Sequence, residues 1–192
     1  VTIEQGNLEI SGLPNFSDRI ENTWDLQISQ DPIELEIKAG AYSGEYEFGG
    51  LNISNLRISD GAANVELRFS SPNQADMDTF RYETGASDVT LSGLANANFS
   101  TMIFQSGAGD YELEFDGELR KDTTVIIESG LSNFTITVPE GVNAIVDVDG
   151  ALNNVNTRGE WDSSGGDYLL EGDGPTLTIS VELGAGNLTL RN

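Results

Sequence analysis

Residues 101–115 read TMIFQSGAGDYELEF: apolar residues alternate into a glycine, a short polar turn carries an Asp, and apolar residues alternate out again. The same pattern recurs at IKAGAYSGEYEF, RISDGAANVELRF, YETGASDVTLSG, IESGLSNFTITV, VDGALNNVNTRG and VELGAGNLTL. The chain is therefore built from repeats, and a repeat speaks first about architecture.

The copies align on Gly40, Gly61, Gly85, Gly107, Gly130, Ala151 and Gly184, spaced by 21, 24, 22, 23, 21 and 33 residues. Five residues before these anchors stand Leu35, Leu56, Phe80, Met102, Val125, Val146 and Ile179; three before stand Ile37, Ile58, Tyr82, Phe104, Ile127, Val148 and Val181. Four after come Gly44, Val65, Val89, Tyr111, Phe134, Val155 and Leu188; six after come Tyr46, Leu67, Leu91, Leu113, Ile136, Thr157 and Leu190. Alternation in steps of two on both sides of the turn predicts two half-buried strands per copy. A third apolar patch, such as Leu51 and Ile53 or Leu94 and Phe99, predicts a third short strand.

A period near 22 without a helical pattern is the length of one coil of a parallel β-solenoid. One coil cannot bury its own apolar face, so these rows must stack inside, about 4.8 Å apart. The expected fold is all-β: a right-handed parallel β-solenoid (β-helix) of about seven rungs, each stacked on the one before, with an N-terminal cap. Residues 33–192 form the repeat domain. Residues 1–32 sit outside the clean register and are expected to cover the first rung as a cap or partial rung, with Trp24 as its lid.

Cysteine and histidine are both absent, which excludes disulfides, thiolate nucleophiles and the commonest transition-metal ligand. Carboxylate remains, 32 Asp and Glu against nine Lys and Arg, for a net charge of −23. That charge argues against nucleic acid and anionic lipid as partners. No apolar run approaches a membrane span, so no direct membrane insertion is expected.

Three residues after the anchors come Ser43, Asn64, Asp88, Asp110, Asn133, Asn154 and Asn187, expected to cap their own turn backbone, while the anchor glycines are expected in the left-handed region. The GAGD and GAGN segments lack the following helix and Lys-Ser/Thr pair of a phosphate loop. Asn15, Asn52, Asn98, Asn133 and Asn187 open tripeptides that fit the glycosylation rule.

Outward positions carry the acids. Glu45 above Glu66 places carboxylates on neighbouring rungs, as acid/base work or a shared calcium would require. Arg68 beside Glu47, and Thr or Ser between the acids, point instead to a solvated face that discourages edge association. A calcium candidate is Asp147-Val148-Asp149-Gly150, with Asp162 and Asp167 near the following loop; it lacks the later acid of a calcium-binding hand. No catalytic, cofactor or metal residue is assigned.

The stretch 157–177 departs from the period and contains GEW, a polar loop, Tyr168 and then PTLTISVELGAGNLTL. It resembles the LiaF-like cell-wall-stress-response C-terminal domain, the toast-rack family of bacterial envelope proteins. The similarity runs over residues 33–192 and is most specific from Gly159 to Leu190. The resemblance implies a non-enzymatic extracytoplasmic module, with a leader or anchor upstream of Val1 and protein partners at the envelope; a related group comprises predicted surface adhesins. An alternative is a calcium-dependent polysaccharide-binding or carbohydrate-active solenoid using Glu45, Glu66 and Glu112. A glycan site needs exposed aromatics beside those acids, and Tyr42 and Trp161 are the candidates.

Overall fold

The computed structural model describes residues 31–150 and 154–192. These form β1 (Ile33–Lys38), β2 (Ala41–Glu47), β3 (Ile53–Ser59), β4 (Ala62–Arg68), β5 (Met77–Ser92), β6 (Phe99–Glu114), β7 (Thr123–Thr137), β8 (Asn143–Gly150), β9 (Asn154–Arg158), β10 (Asp162–Ser164), β11 (Asp167–Leu170) and β12 (Thr176–Arg191). The only helical segment among the described residues is a 3-10 turn, Leu94–Ala97. The protein is all-β, and the expected cap at residues 1–32, with Trp24, lies almost wholly outside the described residues.

Strand pairing follows the sequence register residue by residue. Leu35 pairs with Leu56, Leu56 with Phe80, Phe80 with Met102 and Met102 with Val125, all in parallel. Beyond the turn, Val65 pairs with Val89, Val89 with Tyr111 and Tyr111 with Phe134. Side chains of these rows are buried from the second coil through β12, while Val155 in the terminal coil is partly buried. Aromatic rings carry the core from row to row: Phe104 stacks on Tyr82 at 5.3 Å and meets Tyr111 and Phe134 edge-on at 5.1 and 5.6 Å. Such pairs add stabilisation beyond the area they bury.

Two strand columns are present, not three. In β5, β6, β7 and β12 the two strands of a copy fuse through the anchor into one strand of 15 or 16 residues. The third patch supplies strand starts (Ile53, Phe99) and the 3-10 turn (Leu94), so the third side consists largely of loops. Buried Asn73 ties that side together, accepting from Ile53 N at 2.9 Å and donating to Ile53 O at 2.8 Å.

The anchor glycines are needed for a different reason from the one expected. None of Gly40, Gly61, Gly85, Gly107, Gly130 and Gly184 has a positive φ. Instead the backbones stack too closely for a side chain. A Cβ at Gly107 would stand 2.5 Å from Gly85 O, one at Gly130 2.5 Å from Gly107 O, and one at Gly184 2.7 Å from Gly130 O. The positive φ belongs to the second glycine of each GAG, at 147° in Gly109 and 136° in Gly186, where each lies against a serine carbonyl of the row beneath.

The coils do not all stack in chain order. Sequential stacking holds through β7, but the next row on β7 is β12, paired from Leu177 with Thr123 to Arg191 with Thr137. The intervening residues lie outside it, β8 and β9 pairing in parallel with the far side of β12. Strand β11 then pairs antiparallel with β8, and β10 with β11. The spacing of 33 between Ala151 and Gly184 is thus the length needed to run past, form a hairpin and return. That hairpin covers the free edge of β8, an edge that would otherwise offer unpaired N–H and C=O groups.

Candidate functional site

With the inward rows filled largely by apolar side chains, polar groups among the described residues lie on the outer faces, in the turns and on the loop side, where Asn73 is buried, and in one buried carboxylate–hydroxyl cluster. On the outer face of the second column Glu45 and Glu66 are direct neighbours, and Glu47 faces Arg68, as the register predicts. Thr90 separates Glu66 from Glu112, so the three acids of the carbohydrate reading are not brought together. Both proposed aromatic platforms are occupied elsewhere. Trp161 is buried in the core cluster, and Tyr42 is half-buried with its hydroxyl directed to Asp60. Sequence position alone could not distinguish these rings from surface residues, because neither falls in an inward row.

The Glu47 carboxylate accepts from Gly49 N at 2.6 Å and Ser70 N at 3.2 Å. Desolvation pushes its pKa up, but these donors and Arg68 outweigh that, and the net shift is downward from 4.5. A depressed carboxylate contributes stability above its unfolded value and loses it as pH falls through the folded one. Glu47→Gln is therefore expected to flatten the loss of thermal stability on acidification below about pH 4.5, read as melting temperature against pH beside the parent. Glu114 moves the other way, raised by desolvation and by Glu112 and Asp116.

The predicted calcium segment does gather acids. Asp167 lies directly opposite Asp147 in the antiparallel β8/β11 pair, and Asp149 neighbours Glu182, which neighbours Glu128. Among the described residues, no group of three or more Asp and Glu is placed to hold a metal ion. Like charges directly opposite cost a few tenths of a kcal/mol to about 1 kcal/mol. Asp167→Asn is expected to stabilise the fold by about 0.5 kcal/mol in urea melts at low salt, with the gain shrinking as salt is added.

The Asx row forms a ladder along the stack, where local turn caps were expected. Asn133 Nδ2 donates to Asp110 Oδ1, and Asn187 Nδ2 to Asn133 Oδ1, both at 2.8 Å. Amide nitrogens of two glycosylation candidates are engaged here, and that of Asn98 donates to Ala75 O.

The buried cluster escaped the sequence reading. Asp60 is the buried carboxylate among the described residues; its Oδ2 accepts from Tyr82 at 2.9 Å and Tyr42 at 3.4 Å, and its Oδ1 from Thr84 Oγ1. Ser87 continues the network, accepting from Ala63 N at 2.8 Å. Burial, reinforced by the nearby Asp60 charge, drives the Tyr82 hydroxyl far up, so it serves as a neutral donor. Three hydroxyls replace the water lost by the carboxylate, which makes the cluster a structural tie across the first coils. The legible signal was Tyr82 in an inward row and an Asp directly preceding the Gly61 anchor. Asp60→Ala leaves the Tyr82 hydroxyl unpaired and is expected to cost about 1–3 kcal/mol in urea unfolding, with Asp60→Asn costing less.

These features define an all-β protein of parallel stacked coils whose polar groups form ladders instead of a cleft. Residues 1–92 match the family model described as the N-terminal domain of toast_rack, DUF2154. Over that stretch the chain is similar to the toast-rack family. The match begins at Val1, upstream of the segment on which the sequence resemblance rested. Among solved structures, a putative cell adhesion protein from Clostridium sporogenes is similar in fold, with a TM-score of 0.57 at 12% identity over 82% of this chain and 92% of that one. None of the curated proteins compared matches the chain.

Proposed function

We propose that this chain is a non-enzymatic scaffold or protein-contact module of the bacterial cell envelope, exposed outside the cytoplasm and held by a leader or anchor upstream of Val1. In this reading it is a right-handed solenoid of seven rungs, with residues 1–32 as cap and 33–192 as repeat domain, and its partners are envelope proteins. The toast-rack match carries the reading. The adhesion description of the structural neighbour and the flat ladders of Glu, Asp, Asn and Thr support it, since ladders suit contact with an extended surface. The calcium-dependent glycan reading loses its aromatic platform with Trp161 and Tyr42 engaged.

The test is labelling of intact cells carrying the full protein with a membrane-impermeant amine reagent, for which Lys38 is an exposed target. Labelling before lysis is expected; labelling only after lysis overturns the assignment. Thermal melting with added calcium is expected to leave the transition unmoved.

A further inference from the structure

The chain contains four Asp-Gly steps, at Asp60, Asp116, Asp149 and Asp173, and such a step can close on itself when the glycine nitrogen meets the aspartate carboxyl carbon. Whether it does depends on what else holds the two groups. At Asp60 three hydroxyls hold the carboxylate, and Gly61 N donates to Gly40 O at 2.9 Å. The Asp116 carboxylate accepts from Gly93 N at 2.6 Å. Both carboxylates are committed to partners other than the glycine that follows them.

The Asp149–Gly150 step differs. In earlier rows the residue before the anchor donates its N–H to the next row, Ala39 N to Ser59 O at 3.0 Å and Asp60 N to Glu83 O at 2.9 Å. Gly150, opposite Leu183, holds the corresponding place in β8. Among the described residues, however, the far side of β8 carries only β11, whose pairing runs from Ala144 to Asp147 and stops short of Gly150. The N–H of Gly150 turns back instead to Asp149 Oδ1, at 2.7 Å on the exposed face. That bond sets the nitrogen beside the carboxyl carbon. The position also has to be glycine, because its φ is 104° and a Cβ would run into Leu183 O. No side chain therefore screens the nitrogen.

We propose that Asp149–Gly150 is a site of spontaneous backbone modification, passing through a succinimide to isoaspartate. In the acid form of Asp149 the Gly150 nitrogen bonds to Cγ, loses its proton, and the Cγ hydroxyl leaves as water. Water then adds at the former main-chain carbonyl of Asp149 and breaks its bond to nitrogen, so the chain runs through the side-chain carboxyl and the original mass is restored. Holding the two reacting groups together is what speeds such a ring closure. The product carries one extra carbon in the main chain between Asp149 and Gly150. Gly150 then no longer falls opposite Leu183, and the pairing of β8 with β12 frays from this end.

The test is incubation of the full folded protein at neutral pH in heavy-oxygen water, followed by digestion and fragmentation mass spectrometry that separates aspartate from isoaspartate. Asp149 is expected to gain label and isoaspartate about tenfold faster than Asp60 and Asp116. It is also expected to lead Asp173, the step in the exposed loop before β12. In urea the four steps are expected to converge, because the geometry that sets Asp149 apart is gone. Asp149→Glu keeps the charge but would have to close a larger, less favourable ring, so it is expected to lose the modification at 149 and keep the rates elsewhere. Aged parent protein is expected to lose hydrogen-exchange protection at residues 143–150, and the aged variant to keep it. The proposal is overturned if Asp149 in the folded protein reacts no faster than Asp60 or Asp116, if Asp173 leads it, or if the same lead persists in urea.

Discussion

Gly107→Ala is expected to be among the most damaging single substitutions in the chain, lowering unfolding stability by about 2–4 kcal/mol. Backbone strain has no part in this, because Gly107 is not in the positive-φ region. The cost is steric: the added methyl would sit 2.5 Å from Gly85 O, and β6 is paired on one side to β5 and on the other to β7. Relief requires parting two strands along their whole length. Gly40→Ala is the control, since among the described residues nothing lies within 4 Å of its Cβ position and its φ is not positive. That variant is expected to be neutral or stabilising by up to about 1 kcal/mol through the unfolded state. Urea unfolding of the two proteins side by side decides the matter. Equal effects would show that the ladder is looser than the distances imply.

Phe104→Ala is the second large effect, expected at about 3–5 kcal/mol. The ring is fully buried and touches three others, Tyr82, Tyr111 and Phe134. Its removal opens a cavity midway along the stack, where rows above and below are fixed by parallel pairing and cannot collapse inward. Leu131→Ala removes an apolar side chain of a neighbouring coil that is 64% exposed. It is expected to change stability by less than about 0.5 kcal/mol. Hydrogen exchange should show the Phe104 loss spreading to β5 and β7, since stacked repeats are stabilised chiefly by nearest-neighbour contacts.

The rows were legible because alternation and glycine spacing are local signals that a parallel stack repeats without change. Leu35, Leu56, Phe80, Met102 and Val125 could be aligned on paper and are aligned in space. Stack order was not legible in the same way, because Val146 and Ile179 are both acceptable neighbours for Val125 and alternation does not rank them. The irregular spacing of 33 marked the place without giving its meaning. Burial of Asp60 was hidden because an Asp before a glycine reads as an ordinary turn. Only its distance in space from Tyr42, Tyr82 and Thr84 makes it a tie. The outer acids were placed correctly in register, but whether carboxylates converge depends on side-chain directions that a register does not contain.

The return of β12 into the stack also has a temporal consequence. During synthesis, coils up to β7 can close in the order they emerge from the ribosome. Residues 143–158 cannot, for their seat is the far side of a strand still unmade. At ordinary translation speeds of about 5–20 residues per second, the 54 residues from Thr137 to Arg191 leave a nascent β7 edge open for about 3–11 s. That interval, more than the finished protein, is when this acidic chain is most exposed to wrong partners.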